Sequence, residues 1–246
     1  MSAVLAARLT LRVWLLLLLW SLVPARACVN PATLAHSTVG ITLHSSEQLR
    51  KQDPAAATGV RGTAWFTSPT ILVTAAHVIE SLHLVASEWT EAELLDGTDV
   101  QQRYVRLHHF AGPLAERLAF FELQASFPAA KPLQLRREQL NAGERVFSLA
   151  YPHNRQRFAE GRFLSYGDDD NAAGMALLEM YDGNDRLVLD HGASGAPVVD
   201  CDGRVVAVVS NIYARTITLI SRPIRISTAW GSANIAAIPV SALAEQ

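Results

Sequence analysis

The residues of this chain that could do chemistry gather around one serine. Ser194 stands in the stretch Asp190-His191-Gly192-Ala193-Ser194-Gly195-Ala196-Pro197. Small residues around a serine make a tight turn, because glycine takes backbone angles that other residues avoid. The same residues let a hydroxyl stand clear while backbone N–H groups point at a substrate carbonyl. Read as a nucleophile, Ser194 needs a base to take its proton, a third group to orient that base, and donors for the oxyanion. Gly192 carries no side chain, so the N–H groups of Gly192 and Ser194 can converge on one oxygen.

The order of the motifs narrows the chemistry. The nucleophile elbow of an α/β-hydrolase, Gly-x-Ser-x-Gly, is a poor fit because Ala196 stands at its last glycine. That fold also places its histidine after the serine, and no histidine follows Ser194. The base therefore lies upstream. Of the eight histidines, His77 stands out, at the end of the run Gly62-Thr63-Ala64-Trp65-Phe66-Thr67 through Thr74-Ala75-Ala76-His77. A strand that turns there into a short helix puts the imidazole on a rigid element. His36, His44, His83, His108, His109 and His153 lie in polar or irregular surroundings and read as solvated or structural. His108 and His109 are adjacent, and strand alternation places their rings on opposite faces, which argues against a shared metal ion. No metal and no cofactor is expected.

The elements that would hold these residues are mostly strands. β-type runs at 37–44, 62–68, 70–79, 103–110, 117–125, 145–151, 176–181, 186–190, 196–200, 204–212 and 217–224 alternate with turn signals, which predicts an all-β barrel or sandwich. Short helices are expected near 69–82 and at the C-terminus, where Ser241 can cap Ala242–Gln246. The amphipathic helices of a doubly wound α/β fold are missing. Half the residues are apolar and 18% are charged, which excludes an intrinsically disordered chain.

The N-terminus reads as an export signal. Arg8 and Arg12 precede the apolar run Val13–Val23, and Ala25-Arg26-Ala27 follows, so residues 1–27 have the pattern of a cleaved signal peptide. The run is too short for a membrane span, and no later segment is long enough. Removal of three arginines and no acids takes the formal charge from −2 to −5. Neither nucleic acid nor an anionic membrane is an expected partner. Two cysteines, Cys28 and Cys201, predict a disulfide in an exported protein. The competing reading is a lipid anchor on Cys28, for which the preceding arginine is a poor signal. The expected location is the periplasm or outside the cell.

Two segments together carry a resemblance. Gly62-Thr63-Ala64 with Thr74-Ala75-Ala76-His77, and Gly192-Ala193-Ser194-Gly195-Ala196-Pro197, resemble the histidine and serine segments of chymotrypsin/trypsin-like serine peptidases. Residues 143–165, 200–211 and 234–246 resemble later strands of the bacterial periplasmic or secreted branch. The resemblance covers most of 36–246 and leaves no room for an appended peptide-binding domain. It implies two six-stranded antiparallel β-barrels with a short C-terminal helix, 28–130 carrying the histidine and 131–246 the serine. It implies that His77 is the general base, Ser194 the nucleophile, and the Gly192 and Ser194 N–H groups the oxyanion hole. Ala193 replaces the acid that the digestive branch uses to trigger zymogen activation, so no such switch is expected.

The family's third member is an acid two residues before the alanine of an Asp-hydrophobic-Ala pattern. Counting back from Ala119 lands on Arg117, with Glu116 beside it. Glu116 is the candidate, through a bulge or register slip. A dyad supported by water or a carbonyl, and a catalytically impaired protein that binds a peptide or protein partner, are the alternatives. Losing the acid costs about 10⁴-fold in turnover in the well-studied case, or roughly 5–6 kcal/mol. The resemblance further implies a pocket for the residue before the scissile bond with Val188 at its base and Ser210, Asn211 and Ile212 as a wall. Small or medium apolar side chains are expected there. The expected function is an exported serine endopeptidase acting on peptides or proteins.

Overall fold

Runs such as Ala64-Trp65-Phe66 and Ile71-Leu72-Val73 carry no polar residue between apolar ones, so strands built from them must be covered on both faces. The computed structural model describes residues 28–45, 51, 59–82, 84–86, 88–112, 117–167, 174–212, 216–219, 222–225 and 232–243. It meets that requirement with two barrels packed against each other. Strands β1 (Thr38–His44), β2 (Gly59–Ser68), β3 (Ile71–Ala75), β4 (Thr90–Asp96), β5 (Asp99–Ala111) and β6 (Leu118–Leu123) close in the order β1-β2-β3-β6-β5-β4. The second barrel uses β7 (Arg145–Ala150), β8 (Arg157–Tyr166), β9 (Ala176–Tyr181), β10 (Pro197–Val199) and β11 (Val205–Ile212). After the separate ribbon β12 (Thr216–Leu219) and β13 (Arg222–Arg225), β14 (Ile235–Pro239) completes it in the order β10-β11-β14-β9-β8-β7. Closure leaves neither barrel an open sheet edge.

Side-chain alternation feeds two cores at once. Ala64, Phe66 and Leu72 fill the first barrel with Phe121 and Leu94. Their neighbours Trp65 and Val73 point the other way and pack on Phe147, Leu149, Tyr151 and Val208 of the second barrel. In the second barrel Val146, Leu178 and Val209 face inward, while Phe147 and Leu177 face the partner barrel. The doubly buried strands of the sequence are thus those lining the junction.

Tyr151 pins that junction. Its ring is 1% exposed. Its hydroxyl accepts from the Gly97 N–H at 3.0 Å and from the Gln156 side-chain amide at 3.0 Å, and donates to the Thr38 carbonyl at 3.4 Å. Burial pushes its phenol above the ordinary value. Cys28 and Cys201 form a disulfide across 173 residues, and the Val29 N–H donates to the Cys201 carbonyl. The first chain segment is thereby held on the second barrel.

Helices are few and short. The first, α1 (Pro31–Ala35), was not expected from the sequence; Asn30 caps it by accepting from the Ala32 N–H, and Pro31 occupies its first turn. The second, α2 (His77–Glu80), follows β3 directly. At the C-terminus Val240–Leu243 form a short 3-10 helix that includes Ser241, and residues 244–246 of the expected helix lie outside the described residues. Residues 186–190, read as a strand, are irregular. Their polar groups serve turns: the Ala193 N–H donates to the Asp190 carbonyl and the Asp182 N–H to the Arg186 carbonyl. His108 and His109 also depart from expectation. A register shift between Leu107 and His109 breaks the alternation, and the two Nδ1 atoms lie 2.5 Å apart. Among the described residues no helix is long and apolar enough to cross a membrane.

Candidate active site

The junction opens into a cleft of about 570 Å³ whose lining includes His77, Gly192, Ser194 and Ser210. Strand β3 delivers His77, which begins α2 two residues beyond the strand and stands exposed. The loop between 190 and 196 delivers Ser194. Its hydroxyl donates to the Ser210 carbonyl at 3.1 Å, so in this structure the proton is parked on β11.

The two sequence motifs interlock physically. Gly195 has φ +89°, and a Cβ there would come within 2.1 Å of the Thr63 carbonyl and the Thr74 hydroxyl. Only glycine fits that approach. Thr63 then ties the two barrels together. Its N–H donates to the Ser194 carbonyl at 2.9 Å. Its hydroxyl donates to the Gly192 carbonyl at 2.7 Å and accepts from the Tyr151 N–H at 2.9 Å. The Thr74 hydroxyl caps the arrangement by donating to the Thr63 carbonyl at 2.7 Å.

The backbone of the serine loop is set for an anion. In a trans peptide the C=O and N–H point opposite ways. The His191 carbonyl accepts from the His153 N–H at 3.2 Å, and the Ala193 carbonyl accepts from the Ala196 N–H at 2.9 Å. Both carbonyls are thus turned away, which turns the Gly192 and Ser194 N–H groups the other way. Among the described residues neither N–H has a hydrogen-bond acceptor. Two such donors at the cleft can receive an oxygen that gains negative charge. Ala193, between them, is fully buried in the second core.

His153 and His191 also line the cleft, and the sequence reading had set His153 aside. His153 and Asn154 are left-handed, with φ of 51° and 59°. Strained backbone of this kind gathers at functional sites. The His153 Nε2 lies 3.5 Å from the Asp190 carboxylate, which accepts the His191 N–H at 2.7 Å. Burial pushes Asp190 up, but the His191 N–H, the His153 imidazole and their charges together hold it below the ordinary value. Asp190 and His191 were within reach of the sequence, being neighbours of Ser194. His153 was not, because a tertiary contact brings it in.

Glu116 lies outside the described residues. Arg117 is described, and its guanidinium is engaged away from the cleft lining. It meets the Glu80 carboxylate at 3.2 Å and stands 4.5 Å over the Phe110 ring. Its carbonyl accepts from the Ala76 N–H at 2.9 Å. Val188 lines a neighbouring cavity of about 480 Å³ instead of the cleft. Ser210 lines the cleft. Asn211 and Ile212 continue β11, opposite Ala236 and Ile235, and their side chains lie outside the described part. Among the described residues no group of three histidines, cysteines or carboxylates is placed to hold a metal ion.

A family model described as "Trypsin-like peptidase domain" matches residues 62–208, more than half the chain and both motifs. The chain belongs to the trypsin-like peptidases. This trypsin-like chain is similar in fold to the Rv3671c protease from M. tuberculosis in its active form, at 19% identity over 87% of this chain and 81% of that one, with a TM-score of 0.57. It is likewise similar to the inactive form of that protease, at 18% identity over 87% and 89%, with a TM-score of 0.56. The HtrA-type protease AlgW with tripeptide matches at 16% identity over 88% of this chain and 62% of that one, with a TM-score of 0.56. No curated protein matches the sequence. The peptidase fold has two closed six-stranded antiparallel barrels, as the resemblance implied.

Proposed function

We propose that this protein is an exported serine endopeptidase that cleaves peptide bonds through an acyl-enzyme. The observation that carries this is one cleft at the barrel junction holding His77, Ser194 and the two outward N–H groups of Gly192 and Ser194. Ser194 gives up its bond to Ser210 and passes its proton to His77 while its Oγ bonds to the substrate carbonyl carbon. The carbonyl oxygen takes the charge and settles on the two N–H groups. The carbon–nitrogen bond then breaks, and His77 returns the proton to the departing amine. Water, deprotonated by His77, frees the acid and restores the serine. Residues 1–27 are removed on export, 28–130 supply the base and 131–246 the nucleophile. In this reading the side chain before the bond lies beside Ser210, with Val188 in the adjoining cavity.

For the third member we favour Glu116. Ala75 stands opposite Leu118 in the β3–β6 register, and the Ala76 N–H reaches the Arg117 carbonyl. The next residues along the two chains are His77 and Glu116. Arg117 at the family's acid position favours the second reading, an impaired enzyme that holds a peptide.

A fluorophosphonate probe separates the two. Labelling of the secreted protein that disappears in Ser194→Ala supports the enzyme; no labelling, or equal labelling of Ser194→Ala, overturns it. In the enzyme, Glu116→Gln should lower kcat by about 10²–10⁴-fold if it orients His77. Export itself is tested by sequencing the mature N-terminus, expected at Cys28 and free of lipid.

A further inference from the structure

The charge around the cleft is uneven. Among the described residues its lining includes Arg61, His153, His191 and Asn154, and no carboxylate. The adjoining cavity that holds Val188 adds Arg155, Arg157 and Arg186 against Asp182 and Asp190. Elsewhere Arg106, Arg117, Arg136, Arg145, Arg162 and Arg204 each form a described ion pair, whereas Arg103 bonds only to Gln101 and Gln102. None of the described ion pairs involves Arg61, Arg155, Arg157 or Arg186. Of the two aspartates, Asp190 is turned to His153 and His191. Asp182 is turned to the Asn184 and Arg186 N–H groups. A chain with a net negative formal charge therefore presents cations where a substrate would lie.

Arg61 is the best placed of them. It is exposed on β2, two residues before Thr63. Residues two apart on a strand share a face, so Arg61 rises on the face from which the Thr63 hydroxyl reaches Gly192. Across the sheet at the same level lies Glu93, two strands away through Thr42, which pairs with both Arg61 and Glu93. Glu93 is already engaged by His44 and Gln102. Among the described residues no carboxylate pairs with Arg61, and its guanidinium fork is suited to one.

We infer that the preferred substrates carry an acidic side chain within the three residues after the scissile bond, and that Arg61 takes its carboxylate. This rests on the peptidase reading, in which the residue before the bond lies toward Val188 and Ser210 of the second barrel. Arg61 belongs to the first barrel and so faces the departing side.

The test uses quenched fluorescent peptides identical except for Asp, Ala or Lys at each of those three positions. With the mature secreted protein, Asp at one position should raise kcat/KM about fivefold over Lys, the worth of one exposed ion pair. The preference should shrink as salt rises. In Arg61→Glu the Lys peptide should become the better substrate; Arg61 is exposed, so the fold survives the change. Equal rates for Asp and Lys, or a preference that survives in Arg61→Glu, overturns the inference. Anisotropy of the same peptides on Ser194→Ala separates the two readings. Charge-selective binding with no probe labelling of the wild type overturns the hydrolase and leaves the acidic preference standing. Labelling and cleavage without charge selectivity overturns the preference alone.

Discussion

Thr63 decides more at this site than its size suggests. Its hydroxyl gives one hydrogen bond to the Gly192 carbonyl and takes one from Tyr151, both across the junction. Thr63→Val keeps the shape and removes both. The serine loop should then lose its alignment, with kcat down about 10–100-fold and KM within about twofold, as expected for a group felt mainly in the transition state. Steady-state kinetics on one peptide checks this. Asp190 carries the pH dependence of the loop. Its folded value is depressed, so its contribution is present above about pH 4, where the unfolded aspartate is ionised. It fades as pH falls through the lower folded value. Thermal midpoints measured from pH 3 to 7 should show that acid component in the wild type and lack it in Asp190→Asn. His77 and Ser194 were legible because their neighbours are small and their order is diagnostic. Arg61 and His153 were not, because nothing in their own stretches says that folding will bring them to Ser194.

Among the elements, strands buried on both faces were the most legible. Unbroken apolar runs such as Val205–Val209 leave a strand little choice but to pack on both sides, and β11 does so. The 186–190 run, Arg-Leu-Val-Leu-Asp, has an apolar centre too and is not a strand. Asp182 before it and Asp190 at its end claim the local backbone N–H groups for turns, which composition does not reveal. The His108–His109 alternation failed for a related reason, since one bulge shifts every later side chain. Asn30-Pro31 was a cap signal that could have placed α1. Tyr151, at the end of β7, gives the clearest test at this scale. Tyr151→Phe leaves the Gly97 N–H and the Gln156 amide without their buried acceptor. Urea unfolding should show a loss of about 1–3 kcal/mol with an unchanged slope.

At the scale of the whole molecule, the disulfide holds the beginning of the described chain against the second barrel. In the loop-entropy account a closure this long contributes about 4–5 kcal/mol, and Cys28→Ser or reduction should lower the thermal midpoint accordingly. Scanning calorimetry with and without reductant measures it. Near Cys201, Arg136 joins Glu144 and Asp200, and the Arg136 hydrogen bond holds the Glu144 carboxyl below its ordinary value. The junction has a further consequence. The nucleophile loop takes its shape from Thr63, a residue of the opposite barrel, so the site works as a gauge of how the halves are seated. A small rocking of one half on the other would disarm the serine while every strand remained paired. In a denaturant series, peptide cleavage should therefore fade at a lower concentration than the far-ultraviolet signal of the sheets, and coincident transitions would count against this coupling.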